Sequence, residues 1–226
     1  MNPPGTRPHG SHDADNEDKR PKGPCSEHKS WHTRGYLPHF DASQTYQSIT
    51  YRLIDSLPAA VLVDYQRQAD REPDDQRQAH LRRLIERYLD AGHGSCVLRQ
   101  ADAAQLVIDS WKALDGEHYD LRCWVVMPNH VHVLIKQHEG HPLHAIITRW
   151  KSQSARLINR MLQRSGPLWM ADYWDRYIRD ESHYLRVIDY IRKNPVKAGL
   201  VQSPEGWPWL DKERDPMGRM HKEHQS

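Results

Sequence analysis

No run of about eighteen consecutive apolar residues occurs in the chain, so no membrane-spanning helix is expected. Residues 1–20 lack the apolar segment of a secretory signal, which points to the cytoplasm. Cysteine is scarce. Cys25, Cys96 and Cys123 lie far apart and form no Cys-x-x-Cys pair, arguing against a disulfide framework and against a thiolate zinc site. Neither charge is in excess: 32 Lys and Arg face 30 Asp and Glu, so net charge alone does not indicate nucleic acid. Hydrophobic residues make up 37% and mean hydropathy is −0.90, so a core must come from only part of the sequence.

Composition divides the chain. Residues 1–33 are rich in Pro, Gly, His, Asp and Lys and almost free of aliphatic side chains, as are residues 211–226. Such segments cannot bury a core, so two disordered tails are expected around one folded domain at residues 34–210.

Within that domain, the β-branched and aromatic content of residues 46–53 predicts a strand. Apolar spacing predicts helices over 64–91, 101–114 and 143–164, and a last one over 181–194 stopped by Pro195. Asp180 or Ser182 is the expected cap of the last helix. Strands at 119–127 and 131–136, joined by Pro128-Asn129, predict an antiparallel hairpin. The pattern implies an α+β fold, an antiparallel sheet with helices on one face.

Two groups of residues suggest chemistry. His130-Val131-His132 stands at or entering a strand, where residues two apart share a face. Both imidazoles can then converge on one ion while Val131 points to the opposite layer; plain surface or core histidines are the alternative. Tyr190 and Asn194 lie four apart on the last helix, beside its apolar stripe of Tyr184, Val187, Ile188 and Ile191. If that helix packs against the hairpin, Asn194 can offer a carbonyl oxygen to the metal and Tyr190 an attacking oxygen one turn away. Spacing alone favours the plainer reading, in which Tyr190 is a rim residue and Asn194 a helix cap.

Separated motifs add a resemblance. Trp124-Val125-Val126-Met127-Pro128-Asn129-His130-Val131-His132-Val133-Leu134-Ile135 resembles the His-hydrophobe-His signature of the single-tyrosine transposases. Tyr173-Trp174-Asp175-Arg176-Tyr177-Ile178-Arg179-Asp180 and Tyr190-Ile191-Arg192-Lys193-Asn194-Pro195-Val196-Lys197-Ala198-Gly199-Leu200 are similar to the REP-associated tyrosine transposase branch, as is Arg34-Gly35-Tyr36-Leu37-Pro38-His39-Phe40. The likeness runs over about residues 34–210 with the motifs in order.

The resemblance implies a ferredoxin-like, RNA-recognition-motif-like sheet carrying the histidine pair on a strand and the catalytic tyrosine on a helix. It implies His130, His132 and Asn194 as ligands of Mg²⁺ or Mn²⁺, and Tyr190 as the nucleophile; Tyr177, with Glu181 four residues on, is the runner-up. The expected reaction is cleavage and rejoining of single-stranded or hairpin DNA through a 5′-phosphotyrosine, in transposition. A monomer is implied in preference to the helix-exchanging dimers of related branches, with no membrane partner.

Arg149, Lys151, Arg176, Arg179, Arg192 and Lys197 are candidate DNA contacts, and Trp150, Trp169 and Trp174 candidate stacking platforms. Two rival readings are a DNA-hairpin binding protein without chemistry and a metal-dependent hydrolase that uses water.

Overall fold

The computed structural model describes residues 30–34, 37–41 and 44–211. The tails expected at 1–33 and 211–226 therefore lie almost wholly outside the described residues. Strand β1 (Ser30–Arg34) pairs antiparallel with β2 (Leu37–Asp41), so strand structure starts ahead of the expected boundary at residue 34. The main body follows in the order β3 (Tyr46–Arg52), α1 (Ala59–Ala69), α2 (Asp74–Asp90), α3 (Ala101–Lys112), β4 (Tyr119–Val126), β5 (His130–Gln137), α4 (Leu143–Met161), β6 (Trp174–Tyr177) and α5 (Glu181–Lys197).

The four strands β3 to β6 form one sheet in the order β4-β5-β3-β6, every neighbouring pair antiparallel. With α3 and α4 as the crossovers, this is the strand–helix–strand–strand–helix–strand topology of ferredoxin-like folds. The helical pair α1–α2 is inserted after the first of those strands.

Alternation along the central strand β5 sorts the two faces. Val131, Val133 and Ile135 pack with Ile49, Tyr51, Trp111 and Trp150 beneath α3 and α4. Leu134, from the other set, joins Val125, Tyr184, Ile188 and Ile191 under α5. The sheet thus carries helices on both faces, where the sequence suggested one. On this second face Cys123, Val125 and Met127 join Leu134 in an apolar patch that α5 covers.

Three other expectations need correction. The charged stretch 64–91 is two helices. Pro73 caps α2, and its ring disfavours helical backbone at the residue before it, so the chain breaks between residues 69 and 74. The edge strand β6 had no sequence signal, being four residues long with only its Trp174 and Tyr177 suited to a strand. Finally, α5 runs through Pro195 to Lys197. A proline deprives the carbonyl four residues back, here Ile191, of its partner, and the helix runs only two residues past it. Beyond the proline, the Ala198 amide still reaches the Asn194 carbonyl at 2.9 Å.

At its start α5 is capped by Asp180, whose carboxylate accepts from the His183 amide at 2.7 Å. Only residues 178–180 separate α5 from β6, and the Ile178 amide is itself bound to the Tyr46 carbonyl at 2.9 Å. Among the described residues no helix is long and apolar enough to cross a membrane.

Candidate active site

His130 and His132 stand on β5 and face α5, both almost fully buried. Their rings are positioned through the nitrogen that points away from the site. Asn129 gives its two amide protons to the carbonyls of Leu89 (3.2 Å) and His93 (2.8 Å), so its Oδ1 can only accept. That oxygen lies 2.7 Å from Nδ1 of His130, which must therefore carry the ring proton. For His132, Nδ1 lies 2.8 Å from the Thr50 hydroxyl, while Nε2 accepts from the Asn194 amide at 3.2 Å.

Both Nε2 atoms are thus lone-pair nitrogens, and they stand 3.1 Å apart. Burial holds both rings neutral: it lowers His130 to about 3 and His132 well below the ordinary histidine value. Two lone pairs at that distance repel unless they share a positive partner.

Tyr190, Asn194 and Lys197 form one stripe on α5, at spacings of four and three residues. The Tyr190 ring meets His132 edge-on, centroids 5.2 Å apart, and the Lys197 ammonium sits 5.4 Å from the Tyr190 centroid. The Tyr190 hydroxyl is buried beside Glu86 and Asn194 but forms no hydrogen bond of good geometry with either. Burial raises its pKa above that of a free phenol, and the charges of Glu86 and Asp90 raise it further. At neutral pH this oxygen is a phenol, and it needs help to become a nucleophile.

Helix α2 supplies the facing wall. Arg82, Glu86 and Asp90 recur every four residues on one side of it, with Arg82 Nε 3.3 Å from Glu86 Oε1. Asp90 Oδ1 lies 3.9 Å from Nε2 of His130, and Oδ2 lies 3.3 Å from Nζ of Lys197. Because His130 is neutral, the first of these contacts is no ion pair; the second is. Desolvation raises the pKa of both Glu86 and Asp90. Asp90 Oδ1 and Asn194 Oδ1 are buried without a hydrogen-bond partner.

The loop after α2 is held by close packing. A Cβ on Gly94 would come within 2.8 Å of the Asp55 carbonyl oxygen, and φ there is +88°, so glycine is required.

The donors fit a divalent cation without selecting strongly among such ions: two imidazole nitrogens and, after a half-turn of the Asn194 amide, an unpartnered carbonyl oxygen. Among the described residues no three His, Cys, Asp or Glu side chains already form a closed ligand group, so this set depends on the amide.

Two cavities flank these residues. One of about 270 Å³ is bordered by Thr50, Arg82, Glu86, Arg176, Arg186 and Tyr190. The other, about 490 Å³, is bordered by Arg83, Arg87, Asp90 and Lys197, with Glu86 common to both.

The sequence candidates divide accordingly. His130, His132, Tyr190, Asn194 and Lys197 come together, and Arg176 borders the cavity next to Tyr190. Arg179 lies beside Arg176 at the start of α5, close enough to influence its charge. Arg192 turns away towards Cys123 on β4. Arg149 and Lys151 belong to α4, on the opposite face of the sheet, and Lys151 gives its protons to the Met170 and Ala171 carbonyls at 2.6 and 2.7 Å. Trp150 and Trp169 are buried in the core and cannot stack on bases; Trp174 is half-buried beside the Tyr190 cavity. Tyr177 pairs with Gln47, three residues from Thr50 along β3, and so points to the face away from His132.

Sequence reading missed Glu86 and Asp90, which look like one more solvated charge stripe on a charged helix. The signal was their alternation with Ile85 and Leu89, both buried. It also read Asn129 only as turn chemistry.

Comparison with known proteins finds relatives of this chain. A family profile described as "Transposase IS200 like" matches residues 104–194, which take in both histidines, Tyr190 and Asn194. The chain is 30% identical over 119 residues to a REP-associated tyrosine transposase of Haemophilus influenzae, covering 47% of this chain and 68% of that one. It is 29% identical over 97 residues to the REP-associated tyrosine transposase of Escherichia coli, covering 43% and 56%. A solved REP-associated tyrosine transposase bound to a REP hairpin aligns over 80% of this chain and 81% of that one, at 20% identity and a TM-score of 0.46.

Proposed function

Because the chain belongs to the family of REP-associated tyrosine transposases, a family of enzymes, we propose that it cleaves and rejoins single-stranded or hairpin DNA through a covalent bond to Tyr190. One observation carries the reading. Within a single chain, Tyr190 packs on the ring of His132 and stands one helical turn from Asn194, whose amide contacts the same ring.

His130 and His132, through Nε2, and Asn194, through Oδ1, would hold Mg²⁺ or Mn²⁺. When bound, such an ion withdraws charge from the scissile phosphate and stabilises the crowded transition state. Tyr190 then attacks phosphorus, releasing its phenolic proton to water as its oxygen bonds to phosphorus. The bond from phosphorus to the 3′ oxygen breaks, and that oxygen takes up a proton from water and leaves as a hydroxyl. The 5′ phosphate stays on Tyr190 with its bond energy conserved, so another 3′-hydroxyl can displace the tyrosine and join strands.

The surroundings suit a nucleic-acid strand. Arg82, Arg176 and Arg186 line the cavity at Tyr190, where guanidinium groups can pair with phosphates on either side of the break. The cavity at Tyr190 is bordered by residues of both α2 and α5, and an unpaired strand can present a single phosphate to it. Nucleophile and histidines belong to one chain, so a monomer suffices.

The test is incubation of the protein with labelled single-stranded hairpin DNA from the flanks of its own gene, with Mn²⁺ or Mg²⁺, followed by denaturing electrophoresis. A protein–DNA adduct that disappears in Tyr190→Phe is the expected result. Cleavage without an adduct that survives in Tyr190→Phe would mean a hydrolase using water. Binding without cleavage in either metal would mean a recognition module.

A further inference from the structure

We propose that Asp90 is a fourth protein ligand of the divalent cation, its Oδ1 completing the set formed by Nε2 of His130, Nε2 of His132 and Oδ1 of Asn194. The inference rests on the function proposed above and adds to it a carboxylate that no sequence motif marks.

The geometry carries it. An ion such as Mg²⁺ with bonds of about 2.1 Å puts neighbouring ligand atoms about 3 Å apart and opposite ones about 4.2 Å apart. The two Nε2 atoms, at 3.1 Å, and the Asn194 amide, 3.2 Å from His132, have the separation of neighbours. Asp90 Oδ1, 3.9 Å from Nε2 of His130, falls between the two values, within reach of a small side-chain rotation. That oxygen is buried and has no hydrogen-bond partner, as is also true of Asn194 Oδ1. Asn129 couples the two halves of the set. One side chain fixes the His130 ring and holds the Leu89 carbonyl, immediately before Asp90.

Chemistry supports the same assignment. Two imidazoles and an amide are neutral and select weakly among divalent ions, whereas a carboxylate adds a hard anionic donor of the kind Mg²⁺ and Mn²⁺ prefer. Lys197 holds the other oxygen, Oδ2, at 3.3 Å, leaving Oδ1 turned towards His130. Lys197 also repels the cation and competes with it for the carboxylate, so its removal is expected to leave metal binding unchanged or tighter.

Calorimetric titration of Mn²⁺ into the full chain decides the matter, with His132→Ala giving the background from other histidines. Asp90→Asn is expected to weaken the site at least ten-fold, and Lys197→Met to leave it unchanged or tighter. Two outcomes overturn the assignment: Asp90→Asn binding Mn²⁺ as tightly as the natural protein, or Lys197→Met weakening it as much as Asp90→Asn does. Circular dichroism reports whether Asp90→Asn folds; if it does not, Asp90→Ser takes its place in the titration with the same two readings. Adduct formation by the natural protein, measured in parallel, separates the two ideas. An adduct together with unchanged Mn²⁺ affinity in Asp90→Asn removes Asp90 alone. Mn²⁺ binding that needs Asp90, without any adduct, removes the transposase reaction and keeps the ligand. No Mn²⁺ binding above the His132→Ala background removes both.

Discussion

Oδ1 of Asn129 lies 2.7 Å from Nδ1 of His130, and this one contact determines which ring nitrogen faces His132 and Asp90. Asn129→Ala would leave the buried His130 ring N–H without its acceptor and remove one of two donors from the Leu89 carbonyl, which keeps the Gly92 amide at 2.9 Å, while the exposed His93 carbonyl can turn to water. The expected cost is about 1–2 kcal/mol, seen as a lower midpoint in urea. Mn²⁺ affinity should fall roughly ten- to hundred-fold, since the ring loses its orientation. Unchanged affinity in the folded variant would mean that the ring needs no such support.

Thr50 does the same for His132 with less at stake structurally, because it touches only one ring nitrogen. Thr50→Val keeps the shape and removes the oxygen. Mn²⁺ affinity should drop by about ten-fold, with a stability change of about 1 kcal/mol. A loss of stability without a loss of affinity would contradict the role given to the hydroxyl.

Acid should loosen the fold before it discharges most carboxylates. A histidine of ordinary pKa 6.5 held at about 3 when folded gives stability that is present above pH 6.5 and lost as pH falls towards 3. His132 acts in the same direction. Glu86 and Asp90, with raised values, act oppositely: the stability linked to their protonation is present in acid and lost as pH rises through their folded values. Between pH 6.5 and 5 the histidines should dominate. Melting temperatures of the metal-free protein, followed from pH 8 to 5, should decline, and His130→Gln should flatten the decline. A level profile for the natural protein would contradict it.

The basic residues should separate into two classes. Arg176→Ala should weaken single-stranded DNA binding and reduce its dependence on log salt by about one unit, as expected for one lost phosphate contact. Arg149→Ala, on the far face, should alter neither. Lys151→Met should lower thermal stability with DNA affinity intact, because its ammonium holds two carbonyls and burial has lowered its pKa to about 8. Fluorescence anisotropy at several salt concentrations distinguishes these outcomes.

Local periodicity made the central strands and most helices readable. His130-Val131-His132 disclosed its two-faced strand because Val131 is apolar and its neighbours are not. Tyr190 and Asn194 were readable as one face of one helix, although only resemblance gave them a purpose. What escaped were features made by tertiary contact. β6 has too few residues to carry a pattern and becomes a strand only through pairing with β3. Pro195 reads as a stop, yet the helix runs two residues past it, with the Ala198 amide bonded to the Asn194 carbonyl. Glu86 and Asp90 look like solvent-facing charges until α5 covers them, and Lys151 looks like a free cation until two carbonyls take its protons.

The short connection from β6 to α5 has a genetic consequence. Three residues span at most about 10 Å, and the first of them is tied to β3 through the Tyr46 carbonyl. A tyrosine helix on so short a tether cannot visit a neighbouring molecule unless β6 also leaves its sheet. Two defective alleles, one lacking Tyr190 and the other lacking His130, should therefore fail to rescue each other when expressed together, and a dead copy should not poison a working one.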